Sequence, residues 1–370
     1  MTRPALRAPL AALLFVLLYA TIFVGYTAKQ RNANYDLVPY SALATSGEFD
    51  TPEELHAATW SRLEGELAPG LYESLREDGD YRRRMANEAD VFEENLGFYR
   101  ARRAYPWLLS VADALGVRHV TAATWISVAA GACFVLILFG WLLAIGAGWR
   151  GLFAVAIWIP ATGALDIARL WTPDTLAAST ALAGFGVWMG FGRPALGVIL
   201  LLASLAARSS NVVFLVFLVG ALGLSAEDAR ERRVAWIGLA LALGLYVVLG
   251  RDTNGWWPMF VHTCIERVPH PRSAPPSFEL GTYLGAVAGG APYFHLTRAG
   301  LWLATLGLLW IGGRLDRRGR LLVFALVTST LVQFLAAPVL WDRLFVAQMG
   351  VSLLLWFPGG SATRRENFAS

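Results

Sequence analysis

An all-α fold, a polytopic membrane bundle of about ten transmembrane helices, is what this sequence predicts, and three observations carry the prediction. Of 370 residues, 56% are hydrophobic and 16% charged, against roughly 45–50% apolar in an ordinary soluble domain. Mean hydropathy is +0.49. Long apolar runs recur along the chain, and arginines punctuate every second gap between them.

A helix crossing the hydrocarbon needs about 20 mostly apolar residues, with every backbone polar group paired internally. The runs that qualify are 9–26, 120–146, 152–169, 175–191, 195–207, 212–224, 234–249, 299–313, 321–337 and 344–357. Between the fifth and sixth, Arg208-Ser209-Ser210-Asn211 is either a tight turn or a polar interruption. Arg3 and Arg7 precede the first run, which fits a secretory signal or a first anchor. Its length and the bulky Tyr26 in Tyr26-Thr27-Ala28 favour the anchor.

Short-loop arginines then set the direction. With Arg3 and Arg7 cytoplasmic, so are the connections 149–150, 192–193, 229–233 and 314–320 and the tail with Arg364 and Arg365. Both termini are expected in the cytoplasm. The chain divides into a first transmembrane helix (1–27), an outer loop domain with interfacial helices (28–119), transmembrane helices two to seven (120–250), a second long outer loop (251–298), helices eight to ten (299–357) and a cytoplasmic tail (358–370). Net charge is +4, with scattered arginines and a single lysine, Lys29. That pattern fits a bacterial inner-membrane protein and gives no patch for nucleic acid. Cys133 lies in an apolar run and Cys264 in a polar loop, an arrangement suited neither to a disulfide nor to a metal.

The first outer loop reads as folded. Thr51-Pro52-Glu53-Glu54 starts a helix, with Thr51 as N-cap and Pro52 at the first position. Asp80-Tyr81-Arg82-Arg83-Arg84 begins a charged helix expected to be a solvated surface face. From Phe98 to Leu109 aromatics and arginines interleave, which suits a helix in the headgroup layer or one leading straight into the second span. In the second loop, Trp256-Trp257-Pro258-Met259-Phe260 is an interfacial aromatic cluster, and the proline-rich 268–276 could close as a lid. His262, His270 and His295 lack metal-ligand spacing, so no metal is expected; a divalent cation has no support in the sequence.

A charge inside a span costs about 2.5–3.5 kcal/mol on insertion scales. Asp166 and Arg169, three apart near an outer helix end, therefore need each other, a cavity or a ligand. Asp174 opens the next span, either as a helix cap or as a functional acid. Arg208 and Arg343 lie at outer helix ends, where snorkelling is ordinary, yet both would converge on a phosphate brought to that face.

Tyr35-Asp36 with Tyr40, Phe98-Tyr99-Arg100 with Tyr105-Pro106, Thr172-Pro173-Asp174 and Trp341-Asp342-Arg343 together resemble, in order and placement, the GT-C class of membrane glycosyltransferases. The resemblance is one of architecture over most of the chain. It implies a helical bundle with an outer domain, a polyprenyl-phosphate-linked sugar donor, and a glycan, lipid or protein acceptor on the outer face. Carried over by position, the first-loop acid is Asp36, as general base, and the second-loop acid is Asp174 or Asp166. Tyr40, Arg100, Arg169, Arg208 and Arg343 would bind substrate, the arginines through phosphate. Many members of that class pair acids at the first-loop position, whereas Asp36 stands between Tyr35 and Leu37. The other readings are a transporter or flippase of a lipid-linked or small substrate, and a GT-C-like protein that has lost catalysis. Motifs of an intramembrane protease are absent from the sequence.

Overall fold

The computed structural model describes residues 4–312 and 315–356. Arg3, Arg314, Arg364 and Arg365, used above to orient the spans, and the expected tail 358–370 lie outside the described residues. The chain is helical throughout, with no β-strand among the described residues. In order the helices are α1 (Pro4–Lys29), α2 (Leu37–Thr45), α3 (Pro52–Glu66), α4 (Pro69–Glu77), α5 (Asp80–Asn87), α6 (Ala89–Leu96), α7 (Ala104–Ala114), α8 (His119–Ala144), α9 (Gly148–Ala161), α10 (Ala164–Ile167), α11 (Asp174–Phe191), α12 (Pro194–Ala207), α13 (Asn211–Ser225), α14 (Ala229–Gly250), α15 (Trp256–Cys264), α16 (Leu280–Phe294), α17 (Arg298–Ile311), α18 (Arg317–Ala336) and α19 (Val346–Trp356).

Four of these, α1, α8, α14 and α18, are long and apolar enough to cross a membrane. The pair α16 and α17, bent by 65° at a short break, makes a fifth if it counts as one crossing. On α1 the inward face is Ala12, Val16, Ala20 and Phe23, while Leu10, Leu14, Leu18 and Ile22 are exposed. A helix with apolar residues on both faces and no water-facing stripe belongs in hydrocarbon. Other expected spans are shorter helices: α9 and α12 have 14 residues, α13 has 15 and α19 has 11. The expected span 152–169 stops early, because Gly163 takes a left-handed φ of +76° after Pro160 and Thr162. The short helix α10 follows that turn.

The bundle helices run between two polar ends. At the first, α1 ends where Arg31 donates to the carbonyls of Thr124 in α8 (3.0 Å) and Ala168 (2.9 Å). The α12–α13 turn, the start of α11, the end of α18 and the start of α19 meet there too. The segment 208–211 is thus a tight turn, closed by Asn211 N–H on the Arg208 carbonyl and by Asn211 Nδ2 on Ser204 Oγ at 2.7 Å. At the second end, Glu231 of α14 accepts from Trp188 Nε1 of α11 and from Arg318 of α18. Between the ends, α11 and α12 approach most closely at Gly184 and Gly197, where a Cβ on either would lie 2.9 Å from the other's carbonyl oxygen.

Helices α2 to α7 form a domain on the first end with its own core, including Leu37, Tyr40, Leu63, Phe92, Leu96 and Tyr105. Its α3 starts as the sequence suggests: Thr51 Oγ1 accepts from Glu54 N–H at 3.2 Å and Pro52 occupies the first turn. The segment from Phe98 to Leu109 is split, since residues 97–103 turn before α7 begins at Ala104. In α7, Tyr105 and Leu109 are buried, while Trp107, Val111 and Leu115 form an exposed stripe. Tyr81, expected on a solvated face, is partly buried against the outer-domain core and donates to Asn95 Oδ1 at 3.3 Å. The stretch 251–298 holds α15 and the apolar α16, so it is only partly loop. Its proline-rich part lies against the outer domain, where Glu94 accepts from the backbone of Arg272 (2.8 Å) and Ser273 (2.9 Å).

Candidate functional site

Four segments far apart in sequence meet at the first end. Asp36 precedes α2 in helical backbone conformation, but its side chain makes no capping bond. Its carboxylate is therefore available to other side chains: Tyr99 OH donates to Oδ1 and Arg343 Nη1 to Oδ2, both at 3.1 Å. Asp174 opens α11 just after Pro173. Rather than capping, it takes the Thr172 hydroxyl at 2.8 Å and Arg208 Nη1 at 2.7 Å. Arg343 Nη1 also lies 3.9 Å from Asp174 Oδ2, so one guanidinium stands between the two carboxylates. Arg208 Nη1 in turn donates to the Arg343 carbonyl at 2.9 Å, tying the α12–α13 turn to the loop before α19.

Asp174 and Arg208 are buried, each with 6% of the side chain exposed; Asp36 and Arg343 are more open, at 16% and 26%. The pair at the bottom of the site is thus out of water and the pair at the top partly in it. Arg343 also stacks 4.7 Å over the Trp341 ring. Below, Gln333 Nε2 of α18 donates to the Leu344 carbonyl (2.9 Å) and its Oε1 accepts from Gln348 of α19 (2.7 Å), which fixes the loop carrying Arg343.

A wall of phenols and one more guanidinium flanks Asp36. Tyr40 is buried, edge-on to Tyr99 at 5.3 Å and to Tyr105 at 5.0 Å, and its hydroxyl accepts from Arg102. Burial, and then the Asp36 charge, push the Tyr99 phenol well above its usual range, so it stays protonated and serves as a donor. Burial acts against the Arg102 charge, but Tyr40, Asp36 and Asp174 outweigh it and hold its proton more tightly than usual. The buried Nε of Arg208 and the hydroxyl of Thr175 have no hydrogen-bond partner among the described residues, leaving two donors beside Asp174 uncommitted.

Of the acids and arginines the sequence singled out, Asp36, Asp174, Arg208 and Arg343 gather here, with Tyr40 beside them. Asp166, Arg169 and Arg100 do not. Asp166 pairs with Arg298 at the start of α17, and its contact with Arg169 is a loose 4.0 Å, because α10 ends at Ile167 and Arg169 lies beyond it. Arg169 instead donates to the Gln30 carbonyl and stacks on Tyr26. Arg100 is held by Glu93 at 2.6 Å, on the side facing the proline-rich segment. Arg102, Tyr99 and Thr172 stand in the site without having been singled out individually. Tyr99 and Arg102 are three apart in the run of aromatics and arginines, which was the available signal, and Arg102 N–H bonds to the Tyr99 carbonyl across the turn.

Hollows lie along the bundle and at its second end. One, about 630 Å³ and almost wholly apolar, runs between α8 and α11 past Ile126, Cys133, Leu176 and Ala183. Leu176 is two residues from Asp174 on the same helix. The other, about 600 Å³, lies at the second end around Trp188, Arg193 and Arg318. No group of three or more His, Cys, Asp or Glu side chains that could hold a metal occurs among the described residues. The cation between Asp36 and Asp174 is Arg343 itself. No family model matches the sequence, and no match to it is found among curated proteins or solved structures.

Proposed function

We propose that the protein is an inverting membrane glycosyltransferase of GT-C type, moving a sugar from a polyprenyl phosphate to an acceptor at the first end of the bundle. One observation carries the reading: the Asp36–Arg343–Asp174–Arg208 chain, assembled from four separate segments. A buried ion pair is weak as a stabilising device. Pairs joined through a half-open guanidinium suit a ligand that can take Arg343 over.

In the proposed reaction the acceptor hydroxyl oxygen bonds to the anomeric carbon from the face opposite the phosphate. The bond from that carbon to the phosphate oxygen breaks, and its electron pair leaves with the phosphate. Asp36 takes the hydroxyl proton, while Arg343 and Arg208 hold the negative charge on the departing phosphate. Tyr99 keeps Asp36 aimed. The apolar hollow between α8 and α11 supports a lipid-borne donor, because it offers an isoprenoid chain a path along the helix that Asp174 opens. Under this reading all ten expected crossings traverse the inner membrane of a bacterium, with the first end outside and both termini in the cytoplasm.

The test is transfer from a panel of polyprenyl-phosphate hexoses and pentoses in proteoliposomes. Asp36→Asn should lower transfer roughly 10²–10⁴-fold, the usual weight of a general base, in protein that still folds and inserts into the membrane. Wild-type rates in that variant, or no release of polyprenyl phosphate from any donor, would defeat the proposal. The 65° bend between α16 and α17 favours a second reading, transport of a lipid-linked substrate. Flux of labelled lipid across vesicles without any chemical change is its signature.

A further inference from the structure

At the second end α11 stops and α12 starts within three residues. Gly192, in the left-handed region at φ +61°, ends α11, and Pro194 opens α12 from an N-cap, Arg193, whose side chain makes no capping bond. The first backbone N–H groups of α12, on Ala195 and Leu196, therefore have no partner within the helix. They border the cavity of about 600 Å³, whose wall also carries Arg193, Arg230, Arg318, Asp228 and Glu231.

Both acids are already engaged by the protein. Asp228 caps α14, accepting from the N–H groups of Arg230 and Glu231 at 3.2 Å each. Glu231 accepts from Trp188 Nε1 at 2.7 Å and from Arg318. The guanidinium groups are not matched in the same way: among the described residues Arg193 and Arg230 have no ion-pair partner, and the buried Nε of Arg318 has no hydrogen bond. Two guanidinium groups without an ion-pair partner, Arg193 and Arg230, an uncapped helix start and two carboxylates already engaged by the protein make a cavity that lacks an anion. Its remaining wall is apolar, through Met189 and Val234, and just beyond it Ile199, Trp236 and Ile237 are exposed on α12 and α14.

We propose that this cavity binds a phosphate ester, delivered as the headgroup of an anionic phospholipid whose chains lie along the exposed faces of α12 and α14. Free phosphate would satisfy the guanidinium groups but not that apolar surface. The site is separate from the proposed transfer reaction, and its test reads binding alone.

The full-length protein in neutral detergent is titrated with phosphatidylglycerol, phosphatidylcholine or inorganic phosphate, following bound lipid by native mass spectrometry and the thermal midpoint. Phosphatidylglycerol should bind and stabilise, and phosphatidylcholine should not. Each guanidinium near a membrane surface contributes enough that Arg193→Gln or Arg230→Gln should weaken binding roughly fivefold, and the double variant roughly 25-fold. Arg233→Gln, on the same helix but outside the cavity wall, serves as control and should bind as wild type. Equal binding of the two lipids, or a double variant that binds like wild type, overturns the site. Stabilisation by inorganic phosphate alone, equal to that by phosphatidylglycerol and lost in the double variant, overturns the lipid as the source.

Discussion

At the first end of the bundle two carboxylates and two guanidinium groups from four distant segments share their contacts, whereas at the second end a single carboxylate, Glu231, holds one guanidinium and one indole. The acids at the first end alternate with cations, Asp36–Arg343–Asp174–Arg208, so removing one member leaves a charge facing a buried neighbour. At the second end the acid is neutralised locally and the surplus is positive, in Arg193 and Arg230 at the cavity wall. Similar residue types thus make a closed, mutually dependent cluster in one place and an open, anion-seeking one in the other. The physical difference is burial: Asp174 and Arg208 are 6% exposed, Glu231 18% and Arg318 28%.

The largest effect expected from this contrast follows loss of Arg208. Arg208→Leu strands Asp174 in the protein interior, and breaking a buried pair from one side costs about 3–5 kcal/mol. The thermal midpoint in detergent should fall accordingly. Asp174→Leu in the same chain should recover much of the loss, because two apolar groups replace the pair instead of orphaning half of it. If the single variant melts like wild type, the first end is not the coupled cluster described.

Acid should act on the first end and spare the second. His262 of α15 packs on Phe98 (4.5 Å between ring centroids) and Tyr81 (5.1 Å), and its Nδ1 accepts from Val268 N–H at 3.2 Å, which requires a neutral ring. Burial, and then Arg267, lower its pKa from 6.5 to about 4. Between those values the unfolded chain binds the proton and the folded chain does not. Stability therefore rises with pH through this window, is complete above pH 6.5 and is lost as pH falls towards 4. The full swing is about 3 kcal/mol at 1.36 kcal/mol per pKa unit. Corrected for the intrinsic pH dependence of amide exchange, protection in α15 and the segment to Ser273 should fall on acidification more than protection around Glu231, and His262→Phe should flatten the response. Equal loss of protection at both ends would contradict the assignment.

A smaller effect belongs to the second end. Glu231→Gln keeps an acceptor for Trp188 but removes the charge under Arg318, in a partly exposed setting where such pairs contribute about 1 kcal/mol. A loss comparable to that of Arg208→Leu would erase the distinction between the two ends.

Much of this arrangement is legible in the sequence, and the failures share a cause. Counting apolar runs and short-loop arginines puts Asp36, Asp174, Arg208 and Arg343 at helix ends on one face of the bundle, and that is where they meet. The all-helical class follows from the same runs. What the counting misses are departures from regular helix. Asp166 and Arg169 look like neighbours on one helix face, but α10 ends at Ile167 between them and Arg298 arrives from elsewhere to take Asp166. The apolar α16 hides behind prolines and a glycine-rich composition that resemble loop, yet it is a helix whose Tyr283 OH donates to the Leu335 carbonyl of α18 at 3.1 Å. Tyr81 sits among three arginines and an aspartate, yet Tyr35 and His262 pack on its ring at 5.8 and 5.1 Å.

The choice between Arg100 and Arg102 is the finest of these failures and gives the smallest predicted effect. Both stand in the same run of aromatics and arginines, and a regular helix would have offered no means of ranking them. The turn over residues 97–103 does. It sends Arg100 towards Glu93, which Arg272 also contacts at 3.3 Å, and Arg102 inward, over the Tyr99 ring at 5.4 Å with its Nη1 on the Tyr40 hydroxyl. Arg100→Gln should change stability by less than about 1 kcal/mol, as for other solvent-screened pairs, and leave sugar transfer at the wild-type rate. Arg102→Gln removes a partner of Tyr40 in a buried wall and should lower both. Side-by-side melting and transfer measurements on the two variants decide the matter: equal losses would mean that the outer-domain surface around Glu93 belongs to the site, and that the boundary drawn here around Asp36 is too tight.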